Sequence, residues 1–173
     1  GKQWSASDEE IARHFVSCEQ VGDAIEARWQ FRRGSELADF LYRLRIVGKS
    51  LVVDVEGGPG KAAGIDLGYV SGAIHPRLIQ VPYLNLGDQQ PAVLSTSGVF
   101  ISSYLDWYHS RASSMHGASS DDQVLHLNGG CRYRLASDGR GGALRDRWVL
   151  TVSRRFEEVL PSQPVAKGHE PPA

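Results

Sequence analysis

The sequence lacks the marks by which most enzymes declare their chemistry. Its 173 residues include only two cysteines, Cys18 and Cys131. There is no CxxC and no close Cys/His set, which excludes a finger-type zinc site. Their spacing does not reveal a disulfide, and two buried free thiols are the expectation. No apolar run approaches the roughly 18–20 residues that a membrane helix needs. The opening GKQWSASDEE is polar and acidic, so no signal peptide is expected there. Gly1 in place of Met points to a mature product or a fragment.

Charge of one sign is also missing. The net charge is −1, which argues against a general polyanion binder, so neither nucleic acid nor a membrane surface is expected as a partner. The distribution is uneven: residues 132–155 carry seven arginines against two acids. Those arginines mostly alternate with apolar residues. They read as solvated strand faces paired with acidic neighbours, not as a nucleic-acid module.

Motifs for catalysis fail one by one. GGPGKAAG (57–64) has Ala62 where a phosphate loop needs Ser or Thr, and no helical pattern follows. It reads as a glycine-rich hairpin loop. Six histidines (His14, His75, His109, His116, His126 and His169) show neither HExxH nor i, i+2 spacing. Ser102 or Ser103 with Asp106 and His109 supplies the residue types of a triad. In one extended strand, however, residues 103 and 109 would lie roughly 20 Å apart, and GxSxG is absent. Asp54, Glu56, Asp66 and Asp106 are candidates for a glycosidase pair, but nothing in the sequence makes any two of them face each other. No cofactor and no metal are expected.

What is present is two-residue alternation. In AIEARWQF (24–31), Ile25, Ala27, Trp29 and Phe31 share one side, and Glu26, Arg28 and Gln30 the other. DFLYRLRIVGKSLVVDVEGG (39–58) reads as a hairpin turning at Gly48-Lys49. GIDLGYVSG (64–72), HPRLIQVPYL (75–84), VLHL (124–127), CRYRL (131–135) and RWVLTVS (147–153) add short strands bounded by Gly and Pro. SDEEIAR (7–13) has capping-box spacing and suggests one short helical turn. PSQPVAKGHEPPA (161–173) holds four of the eight prolines and reads as a tail or linker. Just before it, Phe156, Val159 and Leu160 are expected anchors. The expectation is a flexible N-terminus over 1–9, a domain over 10–160 and a Pro-rich tail over 161–173. About ten or more antiparallel strands, with at most one or two short helical turns, make an all-β sandwich.

The densest aromatic stretch is GVFISSYLDWYHSRAS (98–113). Good helix formers are scarce in it, so it reads as a strand with rings on both faces. Tyr104, Asp106, Trp107, Tyr108, His109 and Arg111 combine stacking surfaces, an acceptor and donors. That mixture suits a sugar or a domain interface. Burial of the rings in a core is the alternative, and Trp29 and Tyr83 face the same choice.

GKSLVVDVEG, GIDLGYVSG, RLIQVPYL, GVFISSYLDWYHSRAS and SDGRGGALRDRWVLTVSRRFEEVLP follow one another in that order. Over residues 36–160 this succession resembles the β-sandwich region of large bacterial glycoside-hydrolase-like proteins. That region is similar to the galactose-mutarotase-like supersandwich that precedes a (β/α)-barrel. The resemblance implies a carbohydrate-associated accessory domain without chemistry of its own. It also implies catalytic acids in a separate barrel, a secreted or periplasmic setting, and the YLDWYHSRAS strand (104–113) with its loop lying near the barrel or the substrate cleft. His109 and Arg111 stand where that pattern usually has asparagines, and Gly141-Gly142 where it has Arg-Asn; these departures weigh against specific sugar contacts there. A plain structural or protein-interaction sandwich, and a hydrolase assembled from distant strands, are the rival expectations.

Overall fold

A computed structural model describes residues 9–58, 60, 62–80, 92–106, 109–121, 124–134 and 144–160. The described chain is an antiparallel β-sandwich of twelve strands. In chain order they are β1 (Ala12–Val21), β2 (Ala24–Arg33), β3 (Glu36–Val47), β4 (Ser50–Gly57), β5 (Gly64–Val70), β6 (Arg77–Gln80), β7 (Ala92–Thr96), β8 (Val99–Leu105), β9 (Ser114–Met115), β10 (Ala118–Asp121), β11 (Val124–Arg132) and β12 (Leu144–Ser153). A single 3-10 turn, Phe156–Glu158, follows.

The first four strands form a meander joined by two-residue turns. Each turn opens on a glycine with positive φ: Gly22 (63°), Gly34 (58°) and Gly48 (58°). Glycine at the first central position suits the type II′ geometry that matches strand twist. The eight-stranded sheet continues in the order β1-β2-β3-β4-β12-β8-β7-β6. The smaller sheet runs β10-β11-β5, with β9 also paired to β11.

The small sheet covers only part of the large one. Phe40, Val53, Val55, Leu105 and Trp148 of the large sheet pack with Ile65, Met115, Cys131 and Tyr133 of the other layer. A second cluster joins Ala92 and Leu94 to Ala118 and Leu127. Ser103 donates across the interlayer space to the Asn128 carbonyl at 3.1 Å. Beyond this cover the inner face of β1–β3 stays open, with Phe15, Ile25 and Ile46 exposed.

Several sequence expectations need correction. Glu9 and Glu10 form a turn and Ala12 already begins a strand, so no helical turn occupies 9–13; Ser7 and Asp8 lie outside the described residues. The hairpin edge offered by β2 pairs Ala12–Val21 throughout, which outweighs a weak cap signal. VLHL and CRYRL are not separate strands. Val124–Leu127 and Cys131-Arg132 belong to one strand, β11, that runs through Gly129-Gly130 and ends before Tyr133 and Arg134. Cys18 is exposed rather than buried, and both thiols are free. Leu160 is also exposed, while Val159 is buried and Phe156 stacks edge-on against Phe100. The aromatic stretch is a strand only to Leu105; the His109 N–H then donates to the Asp106 carbonyl at 2.9 Å, so the chain turns.

Candidate functional site

Two faces of the large sheet carry different chemistry. Side chains alternate along each strand, so residues in register across neighbouring strands share a face. On the outer face the register aligns Glu26 (β2), Arg43 (β3), Asp54 (β4) and Arg147 (β12). Asp106 extends the row, its N–H bonded to the Arg147 carbonyl at 2.8 Å. The charges therefore alternate in sign across five segments that are neighbours in space.

The row is closely paired. Arg43 Nη2 lies 2.7 Å and Nε 2.9 Å from Oε1 of Glu26, and Arg28 reaches Oε2 at 3.1 Å. The hydrogen bond from Arg43 holds the Glu26 carboxyl below its ordinary range, against the opposing effect of desolvation. Asp54 accepts from Arg147 Nε at 2.6 Å and pairs with Arg45 Nη1 at 3.0 Å. His109 Nδ1 stands 2.7 Å from Asp106 Oδ2, and its Nε2 meets Arg147 Nη1 at 3.5 Å.

This row accounts for much of the site expected in the aromatic stretch. Tyr104, Asp106 and His109 come together at its end. Burial, and then the Asp106 charge, push the Tyr104 phenol upward. Trp107 and Tyr108 lie outside the described residues, as does Tyr83. Arg111 is exposed on the following loop. That loop is held from beneath by buried Asp146, whose Oδ1 accepts from the Ser110 hydroxyl, while the Ala112 N–H donates to Ser110 Oγ at 2.9 Å. Asp106 is engaged by His109 and Arg147, so its carboxylate is already in use.

The triad reading does not assemble among the described residues. Ser103 points into the sandwich toward Asn128, whereas His109 stands over the opposite face beside Arg147, and the buried Ser102 hydroxyl makes no hydrogen bond to either His109 or Asp106. Of the four candidate carboxylates, Asp54 and Asp106 approach one cation from two sides, Arg147, at 2.6 and 3.9 Å. Asp66 instead accepts the Gly68 N–H at 2.8 Å within β5. The described residues contain no group of three or more His, Cys, Asp or Glu able to hold a metal.

The inner face carries a groove of about 660 Å³, within the usual range of ligand pockets. Its floor is the concave side of the large sheet, with Trp29, Phe31, Tyr42 and Trp148. Its wall is β5, the edge strand of the small sheet, which presents Leu67 and Tyr69. The β5–β11 register slips between Asn128 and Gly130, and Gly68 takes φ 77°. This is a bulge built around a left-handed glycine, a device that bends a strand and re-aims its side chains. Tyr69 is left 58% exposed at the rim. Its ring meets His126 edge-on at 4.6 Å, which orients it. Phe15 braces Trp29 in the same manner, with centroids 5.1 Å apart.

Tyr42, Tyr69, Trp148 and Arg13 were not singled out from sequence. The isolated glycine in GIDLGYV was the available signal, because glycine inside a strand pattern marks a bulge. Trp29 answers to both of its readings: it is partly buried and packs against the main core cluster, and it also lines the groove.

No protein-family model matches the chain, and no curated protein or solved structure matches it.

Proposed function

We propose that this chain is a non-catalytic, carbohydrate-associated β-sandwich module of a larger glycoside hydrolase, positioning substrate for a catalytic domain. The observation that carries this reading is the open groove floored by the partly buried Trp29 and Tyr42 and rimmed by Tyr69. Pyranose rings present apolar C–H faces that lie flat on aromatic rings, while their hydroxyls reach a polar rim. Glycoside cleavage needs two carboxyl groups flanking the bond. The groove's described lining contains neither a carboxylate nor a histidine, so its composition favours holding over cleaving.

The test is binding to a panel of soluble polysaccharides by calorimetry. Trp29→Ala is expected to weaken wild-type binding at least tenfold. Trp107→Ala serves as the comparison for the 104–111 loop. Loss of binding in Trp107→Ala with retention in Trp29→Ala would move the site to that loop.

A second reading has its own support. Phe15, Ile25 and Ile46 leave an exposed apolar strip beside the groove. Such strips are buried in domain and protein interfaces. A module that binds no saccharide but associates with its neighbouring catalytic domain through this strip would be a structural buttress.

A further inference from the structure

We infer that the groove selects acidic saccharides, and that Arg13 is the residue that reads the acid. This rests on the carbohydrate reading above and narrows its ligand class. Arg13 lies in register with Phe31, so its side chain belongs to the inner face. Among the described residues lining the groove it is the one group charged at neutral pH. No acid among the described residues pairs with it, whereas Arg28, Arg43, Arg45 and Arg147 are all committed on the opposite face.

Arg13 is a single exposed cation, so its pull on an anion is screened by salt. The remaining lining is almost wholly aromatic and aliphatic, with Ser103, the two tyrosine hydroxyls and the two indole N–H groups as its polar side-chain groups, none of them charged. The guanidinium fork matches a carboxylate or sulfate through two parallel hydrogen bonds. A sugar stacked on Trp29 would bring a ring substituent toward β1, the strand that carries Arg13. The ligand class is therefore a pyranose bearing an anionic group, either a uronic carboxylate or a sulfate ester. An uncharged polymer satisfies the rings but leaves Arg13 without a partner.

The experiment compares oligogalacturonate, a sulfated dextran and unmodified dextran of similar length, using the whole chain. Wild type is expected to bind at least one acidic polymer tenfold or more tightly than the neutral one, with an affinity that falls as salt rises. Oligogalacturonate against sulfated dextran decides between carboxylate and sulfate. Arg13→Gln is expected to remove that preference. Arg77→Gln, on exposed β6 away from the groove, is expected to keep it. Circular dichroism checks that each variant is folded, and Arg13→Lys, expected to restore the preference only in part, stands in if Arg13→Gln is not. Equal binding of neutral and acidic polymers, or an unchanged preference in Arg13→Gln, overturns this inference and leaves the carbohydrate reading standing. Equal losses in Arg13→Gln and Arg77→Gln overturn it as non-specific attraction. No binding to any saccharide removes both readings together.

Discussion

The indole nitrogen of Trp148 lies 3.2 Å from the point where a side chain on Gly129 would begin. The missing side chain lets the β11 backbone settle onto the indole, and Trp148 is 5% exposed as a result. Gly129 is thus where the two layers approach over the groove, whereas its neighbour Gly130 faces the β5 backbone of its own sheet.

The two glycines are expected to differ in tolerance. An added methyl at Gly129 meets Leu67 Cβ and the Trp148 indole at 3.2 Å, a contact that a small shift relieves. At Gly130 it meets the Ile65 carbonyl oxygen at 2.2 Å, with φ 134°. Gly129→Ala should cost about 1 kcal/mol, as mild overpacking does. Gly130→Ala should cost about 3 kcal/mol or more, through backbone strain and displaced β5 pairing. Urea denaturation of the two variants checks the order; equal costs would mean that β5 can slide away from β11.

The outer charge row predicts a contrast between half-buried and exposed pairs. Asp54 is held by Arg147 and Arg45, all three with side chains under a third exposed. Asp54→Ala leaves two guanidinium groups without their acceptor and should cost about 2 kcal/mol. Arg155 and Glu157 are 67% and 60% exposed in their side chains. Glu157→Gln should leave the denaturation midpoint close to that of wild type. A denaturation midpoint for Asp54→Ala equal to wild type would refute the row's structural weight.

The two acids Asp146 and Glu26 should give opposite pH dependence. Burial raises the Asp146 pKa above its ordinary value, against hydrogen bonds that lower it. The folded protein then keeps a proton that the unfolded chain has released. Its contribution is fully present below the unfolded pKa and is lost as pH rises through the folded value. Glu26 is lowered, so its contribution is present above the unfolded pKa and is lost as pH falls through the folded one. Melting temperatures from pH 2 to 8 should therefore show Asp146→Asn falling less steeply than wild type as pH rises, and Glu26→Gln losing less than wild type as pH falls. Parallel curves for all three proteins would contradict both assignments.

The cysteines should separate cleanly. Burial, with a further push from the Asp146 charge, lifts the Cys131 thiol to about 12. It is scarcely ionised at neutral pH, and the thiolate is the reactive form. Cys18 is exposed on β1. Iodoacetamide at pH 8 is expected to label Cys18 in the folded protein and Cys131 only after unfolding, read by mass mapping. Rapid labelling of both would show that the core opens more readily than its packing implies.

How legible each strand was followed from how its faces are used. β2 and β3 have unlike faces, rings inside and charges outside, so alternation was plain in AIEARWQF and in DFLYRLRIV. β7 has Ala92, Val93 and Leu94 all buried, which erases the alternation that marks a strand. β1 has the reverse problem: none of its residues is fully buried, and a register shift between Phe15 and Ser17 breaks the period. It earned no notice as a strand although it carries Arg13.

By itself, the sequence determined an antiparallel sandwich and the hairpin that turns at Gly48-Lys49, because side-chain period and turn glycines act over a few residues. Read as one continuous strand, 98–113 would place Asp106 and His109 on opposite faces, and the turn after Leu105 is what brings them together. Only the tertiary structure decided that Glu26, Arg43, Asp54, Arg147 and Asp106 form one row, and that Trp29, Tyr42, Tyr69 and Trp148 share one groove. Those groupings depend on strand order, above all on β12 inserting between β4 and β8, and on how far the second layer reaches across the first. Both are long-range outcomes of packing, and no local pattern of residues encodes them.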